Sequence, residues 1–275
     1  MFLSIDPIIQ AALQEDLPFG DVTTECCVPE TAYSHGYFLA KENFIVCGFP
    51  VLRRVFSLID ETVTVTFLAA EGQAVQKGSK IATIEGPARS VLTGERTALN
   101  FLQHLSGIAT YTARAVDSIS GTNARITDTR KTTPGLRILE KYAVRIGGGF
   151  NHRMGLSDGV LIKDNHIAAA GGIAAAVKTA RQLASHMLKI EVETTNFTEI
   201  DQALQAKADI IMLDNMTNEQ MRRAVLQIGR RALVEASGNM GDRNLRSVAE
   251  TGVDLISIGA LTHTIRAADI SLNFI

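Results

Sequence analysis

The chain has 275 residues, a formal charge of -2 and a sequence pI of about 6.3. Hydrophobic residues make up 46% and charged residues 20%, an ordinary balance that supports a sizeable core in a barrel domain plus a smaller companion. Nucleic acid and membrane are both excluded as partners: there is no basic excess, no tryptophan, and no apolar run near the ~20 residues that span a bilayer.

Residues 1–17, MFLSIDPIIQAALQEDL, read as an amphipathic helix with Pro7 in its first turn. Acids occur early and no basic segment leads into an apolar stretch, so this is not a signal peptide. A turn follows at Pro18-Phe19-Gly20-Asp21. Cys26, Cys27 and Cys47 are odd in number and lack a CxxC spacing, which fits reduced thiols in a cytoplasmic protein. Residues 37–39 and 44–46 read as strands and 51–59 as a helix after Pro50. Residues 62–67 alternate and are β-branched, so they form a strand, and 80–84 form another after a turn holding Gly72 and Gly78. A long helix is expected from 92 to about 118, with Leu99, Leu102, Leu105 and Ile108 buried and a kink at Gly107. Residues 1–110 thus form an α/β sandwich, to which a strand in the tail 266–275 is expected to return.

Residues 111–265 carry a different rhythm. Short apolar runs centred near Ile190, Ile211, Leu233 and Ile256 recur at βα-unit spacing. About six or seven strand candidates fall short of the eight of a closed barrel, so an open, incomplete α/β barrel is expected. Thr217 and Gln220 have capping-box spacing for one intervening helix.

Each apolar run ends in polar residues, and ligands of parallel α/β folds sit at those strand ends. Glu193 and Asp214 close consecutive strands and can hold Mg2+, accept from sugar hydroxyls or steady a developing cation. Glu191 is assigned to the opposite face, toward the helices, and Asp209 to the surface. Ser237, Gly238, Asn239 and Gly259 follow the last two strands, where backbone N–H groups bind phosphate. Arg130, Lys131, His152, Arg153 and Lys163 form a cationic set suited to carboxylates and phosphates. Arg137, Lys141 and Arg145 are taken as solvated, Gly147-Gly148-Gly149 as a turn positioning His152 and Arg153, and His166 as either functional or a cap. The residues therefore ask for anionic substrates, at least one phosphorylated. Lys163 also leaves open a Schiff-base aldolase.

The stretch TRKTTPGLRILEKYAVRIGGGFNHRMGLSDGVLIKDNHI resembles the signature of the quinolinate phosphoribosyltransferase family. EDLPFGDVTTE, GERTALNFLQHLSGIAT, ADIIMLDNM and TGVDLISIGALTH extend the resemblance over nearly the whole chain. It implies an N-terminal sandwich, a C-terminal open barrel and a homodimer with shared sites. It also implies Mg2+-dependent transfer of phosphoribose from phosphoribosyl pyrophosphate to quinolinate, with loss of CO2, for NAD biosynthesis. By that resemblance Arg130, His152, Arg153 and Lys163 grip quinolinate, joined by Arg96 from the partner subunit. Lys131 meets pyrophosphate, Glu193 and Asp214 the ribose and metal, and the 237–239 and 259 loops the 5′-phosphate. Many members carry glycine where this chain has Asn239. The nearest rival is a molybdenum-transport-associated relative of the family. Intact Asn151-His152-Arg153 and Lys163-Asp164-Asn165-His166 favour the quinolinate enzyme.

Overall fold

A computed structural model describes residues 5–275, so the start of the expected first helix, at 1–4, lies outside the described residues. The chain divides into two compact units. One holds residues up to Tyr111 with 134–147 and 265–275; the other holds 112–133 and 148–264.

In the first unit, a helix at Asp6–Asp16 precedes a short helix at Val22–Cys27 that the sequence did not announce. Asp21 caps it, accepting from Thr24 N at 3.0 Å. The strands are β1 (Tyr33–Ala40), β2 (Phe44–Ile45), β3 (Thr64–Phe67), β4 (Ala74–Val75) and β5 (Lys80–Pro87). β3, β5, β1 and the C-terminal strand Ile270–Phe274 form one antiparallel sheet, and β2 pairs with β4. The helix Phe49–Ile59 buries Val51, Leu52, Val55 and Phe56, one face at helical spacing. Cys26 and Cys27 are exposed, Cys47 is buried, and none forms a disulfide.

The long helix spans Ala88–Ser118 and runs without interruption through Gly107, where a kink was expected. The glycine serves a close approach instead: a Cβ there would stand 2.3 Å from Arg266 O. The helix Arg137–Ile146 also departs from expectation at Lys141, which is fully buried although its spacing puts it on the same side as Arg137 and Arg145. Packing of the helix, not its own spacing, buries that side, and Glu140 beside it is buried too, bonded to His104 at 2.9 Å.

The second unit is built on β6 (Arg125–Thr127), β7 (Val160–Ile162), β8 (Ile190–Thr194), β9 (Ile210–Asp214), β10 (Leu233–Ser237) and β11 (Leu255–Ser257). They form one parallel six-stranded sheet in the order β6-β11-β10-β9-β8-β7, with a parallel bridge from Thr127 to Phe150 beyond β6. β6 and β7 do not pair, so the barrel is open at that seam. Helices at Ile173–Leu183, Phe197–Gln205 and Asn218–Ile228 turn apolar faces inward. The last has the expected capping box, with Thr217 N donating to Gln220 Oε1 at 2.8 Å and Gln220 N to Thr217 Oγ1 at 3.2 Å.

Replacing an interior helical glycine by alanine ordinarily stabilises a helix by about 1 kcal/mol. At Gly107 the sign is expected to reverse: Gly107→Ala should lose about 1–3 kcal/mol to overpacking against Arg266, read by urea unfolding.

Candidate functional site

The site begins with strand ends. Parallel pairing of Ile162 with Val192 sets Lys163, just past β7, beside Glu193 on β8, and the two form a partly exposed ion pair. Asp214 ends β9 in register with Ser237 at the end of β10. Asn215 Nδ2 donates to Asp214 Oδ2 at 2.8 Å.

The turn after β10 is closely built. Gly238 has φ +93°, and a Cβ there would meet Asn215 Oδ1 at 2.2 Å. Asn239 follows at φ 50°, the left-handed region that asparagine tolerates better than most residues with a side chain. Its conformation accounts for glycine being an alternative there. Past β11, Lys131 Cδ lies 3.0 Å from where a Cβ on Gly259 would sit, and Thr262 Oγ1 donates to Lys131 O at 2.8 Å. Lys131 and the Gly259 turn therefore meet, although they lie far apart in the sequence.

Asp128 organises the loop beyond Phe150. It is fully buried and accepts from Asn151 Nδ2 at 2.6 Å and from His152 N at 2.8 Å. His152 then turns into the barrel. Arg153 N donates to its Nδ1 at 2.7 Å, and its Nε2 lies 3.1 Å from Glu191 Oε2 and 3.7 Å from Glu235 Oε2. Glu191 is thus not on the helix face: residues two apart on a strand share a side, and Glu191 shares that of Glu193. Asp209, expected at the surface, is half-buried and accepts from Ile190 N at 2.8 Å and Arg181 Nη2 at 2.6 Å.

A cavity of about 270 Å3 adjoins this interior, with Arg125, Arg153, Asp158 and Lys189 among the charged residues at its wall. Arg153 Nη1 donates to Gly159 O at 3.0 Å, at the start of β7. Burial, then the charge of Arg130, lowers the Arg153 pKa from its ordinary value, while Glu191 and Asp158 act oppositely. Burial, then the charge of Glu191, pushes the Glu235 carboxyl up to about 8, with His152 offsetting part of the rise.

The strand ends gather Lys131, Lys163, Glu193, Asp214, Ser237, Gly238, Asn239 and Gly259. Arg130 and Arg153 sense one another, but Arg153 reaches the seam and His152 the interior. Arg96 is exposed on the long helix of the first unit. His166 is a cap: Lys163 N donates to its Nδ1 at 3.0 Å. The sequence reading missed the roles of Asp128 and Glu235 and misplaced Glu191. The available signal was an acid inside each apolar run of IEVET and LVEAS, at interior parity.

An open parallel barrel with acids, lysines and glycine turns at its strand ends defines an α/β enzyme for anionic, phosphorylated substrates. The C-terminal domain model of quinolinate phosphoribosyl transferase matches residues 108–273, and its N-terminal domain model matches 21–106. A probable carboxylating nicotinate-nucleotide pyrophosphorylase of Synechocystis is 48% identical over 263 residues, covering 94% of this chain and 88% of the relative. The Bacillus subtilis counterpart is 43% identical over 271 residues, covering 98% and 93%. The solved nicotinate-nucleotide pyrophosphorylase of Francisella tularensis superposes with a TM-score of 0.94 at 43% identity, covering 98% of this chain and 96% of the other. The chain belongs to the quinolinate phosphoribosyltransferase family and is a phosphoribosyltransferase.

Asp128→Ala removes the acceptor that pins Asn151 and His152. The loss is expected at about 1.5–3 kcal/mol per charged hydrogen bond, measured by chemical denaturation.

Proposed function

We propose that the protein transfers phosphoribose from phosphoribosyl pyrophosphate to quinolinate, giving nicotinate mononucleotide, pyrophosphate and CO2 in de novo NAD biosynthesis. The observation that carries this reading is the ring of Lys131, Lys163, Glu193, Asp214 and two glycine turns on consecutive strand ends. The Synechocystis and Bacillus subtilis relatives are named for a carboxylating pyrophosphorylase activity on nicotinate nucleotide, which is this reaction written in reverse.

In this reading the turns at 237–239 and Gly259 hold the 5′-phosphate by backbone N–H groups, and Lys131 meets the pyrophosphate. Arg130, His152, Arg153 and Lys163 hold the quinolinate carboxylates, with Arg96 supplied by the partner subunit of a homodimer. A guanidinium has five N–H donors, so Arg153 can keep Gly159 O and still bind a carboxylate. Glu193 and Asp214 are hard oxygen donors on adjacent strands, a fit for Mg2+ held in part through water. When bound, Mg2+ supplies positive charge against the pyrophosphate. Lys163 already pairs with Glu193, so a carboxylate substrate would replace one anion by another, which favours an anion clamp over a Schiff base.

The chemistry follows from charge. Departure of pyrophosphate leaves an oxocarbenium-like ribose that Glu193 and Asp214 stabilise. The quinolinate nitrogen attacks the anomeric carbon and becomes cationic. The carboxylate on the adjacent carbon then leaves as CO2, because the cationic nitrogen stabilises the carbanion left behind, and that carbon takes up one proton to give nicotinate mononucleotide. Holding the nitrogen against the anomeric carbon contributes much of the rate. The three unpaired cysteines, and the lack among described residues of a helix long and apolar enough to cross a membrane, accord with a cytoplasmic enzyme.

Purified protein given quinolinate, phosphoribosyl pyrophosphate and Mg2+ should release CO2 and form nicotinate mononucleotide, and chelation should abolish both. Absence of turnover at micromolar enzyme would refute the reading. Arg130→Ala is expected to weaken quinolinate binding by about 1.5–3 kcal/mol in calorimetry. Mixed Arg96→Ala and Lys163→Ala subunits should regain activity as heterodimers; confirmed heterodimers without rescue would sink site sharing.

A further inference from the structure

Beneath the strand-end ring lie two acids with no part in the chemistry above. Glu235 is fully buried and Glu191 is 3% exposed. Neither Glu235 oxygen has a well-directed hydrogen-bond donor among the described residues, nor does Glu191 Oε1, although the Ser257 hydroxyl lies close enough to act on Glu235. One ligand atom each from His152, Glu191 and Glu235 lies within 4.8 Å of the others, a spacing that a cation or a proton can satisfy.

The tautomer of His152 decides between them. The Arg153 N–H donates to Nδ1, so Nδ1 is an acceptor and the ring proton resides on Nε2. The ring therefore aims a donor at Glu191, not a lone pair at a metal. The remaining orphaned oxygens are all on carboxylates, and a single proton on one acid supplies the missing donor. Two ionised carboxylates this close and this buried are strongly disfavoured. The groups around the pair are His152 from the loop, Ser257 from β11 and, at the cavity wall, Arg125, Arg153, Asp158 and Lys189.

We propose that Glu235 is a positioning residue of the active site: its neutral carboxyl lets Glu191 alone carry the negative charge, and Glu191 locks His152 in the Nε2–H tautomer beside Arg153. The role in catalysis rests on the phosphoribosyl-transfer reading; the proton on Glu235 does not. The direction of the Glu235 shift agrees, since burial and Glu191 both favour the neutral acid. As pH rises past the raised Glu235 pKa, the acid ionises and the pair becomes two adjacent anions. Quinolinate binding should fall there, because the ring and the Arg153 backbone lose their common anchor.

The test compares Glu235→Ala with Glu235→Gln, which mimics the neutral acid at every pH. Alanine is expected to lower kcat/KM for quinolinate roughly tenfold, and glutamine to restore most of it at pH 7 while moving the alkaline limb of the profile upward by about one pH unit. Thermal unfolding gives a second readout. Raising a carboxyl pKa in the folded state removes stability as pH climbs from the unfolded value toward the folded one. The Tm advantage of Glu235→Gln should therefore grow from about pH 5 upward and level off only once the raised folded-state pKa is passed. In wild-type protein labelled with 13C-glutamate, one carboxyl resonance should titrate well above the ordinary carboxylate range, independent of any variant folding. No such resonance, or a glutamine variant with the wild-type limb, would overturn the proposal. A wild-type enzyme inactive on quinolinate would instead defeat the functional reading, leaving the carboxyl titration to judge Glu235.

Discussion

Charge inside the barrel has to be arranged before charge at its rim can act on a substrate. Glu191, Glu193 and Glu235 all point inward, and each is matched differently. Glu193 is neutralised by Lys163 at the strand ends, Glu191 accepts from His152, and Glu235 is held neutral by its surroundings. The interior therefore carries one carboxylate charge near His152 instead of two, and a buried charge is tolerated only where it is hydrogen-bonded. Arg153 is coupled to that balance, since Glu191 favours its charged form while burial and Arg130 oppose it.

The rim can then rely on backbone geometry. Gly238 leaves no room for a side chain next to Asn215, and Asn239 adopts a left-handed conformation directly after it. Gly259 lets Lys131 close against the neighbouring turn. Such turns expose N–H groups without mobile side chains, which suits binding of a phosphate whose position must be fixed. Asp128 does comparable work for the loop carrying Asn151 and His152, through two short bonds to a buried carboxylate. Rigid support of this kind lets a transferase hold two anionic substrates in register while the bond between them forms.

Much of this was legible from residue order. Apolar runs at βα spacing announced the parallel barrel, because a strand buried on both faces needs an unbroken apolar segment. Polar residues where those runs stop announced the strand-end ring of Glu193, Asp214, Lys131 and Lys163, since in parallel sheets those ends share one face. The Thr217–Gln220 cap was readable because it is local. Matches in both halves of the chain pointed to the family.

Other features depended on contacts between distant segments. Gly107 looked like a helix kink, yet it admits the Arg266 backbone from 159 residues further on (266 − 107). Lys141 looked solvated because lysine usually is, and only packing of its helix buried it. The inward turn of His152, and the grouping of Glu191 with Glu235, required β8 and β10 to face the same interior. Local order decides which side of an element a residue occupies. What waits on that side, and hence whether a charge is solvated, paired or kept neutral, is decided by the fold, because electrostatic interactions depend on separation in space and on access to water.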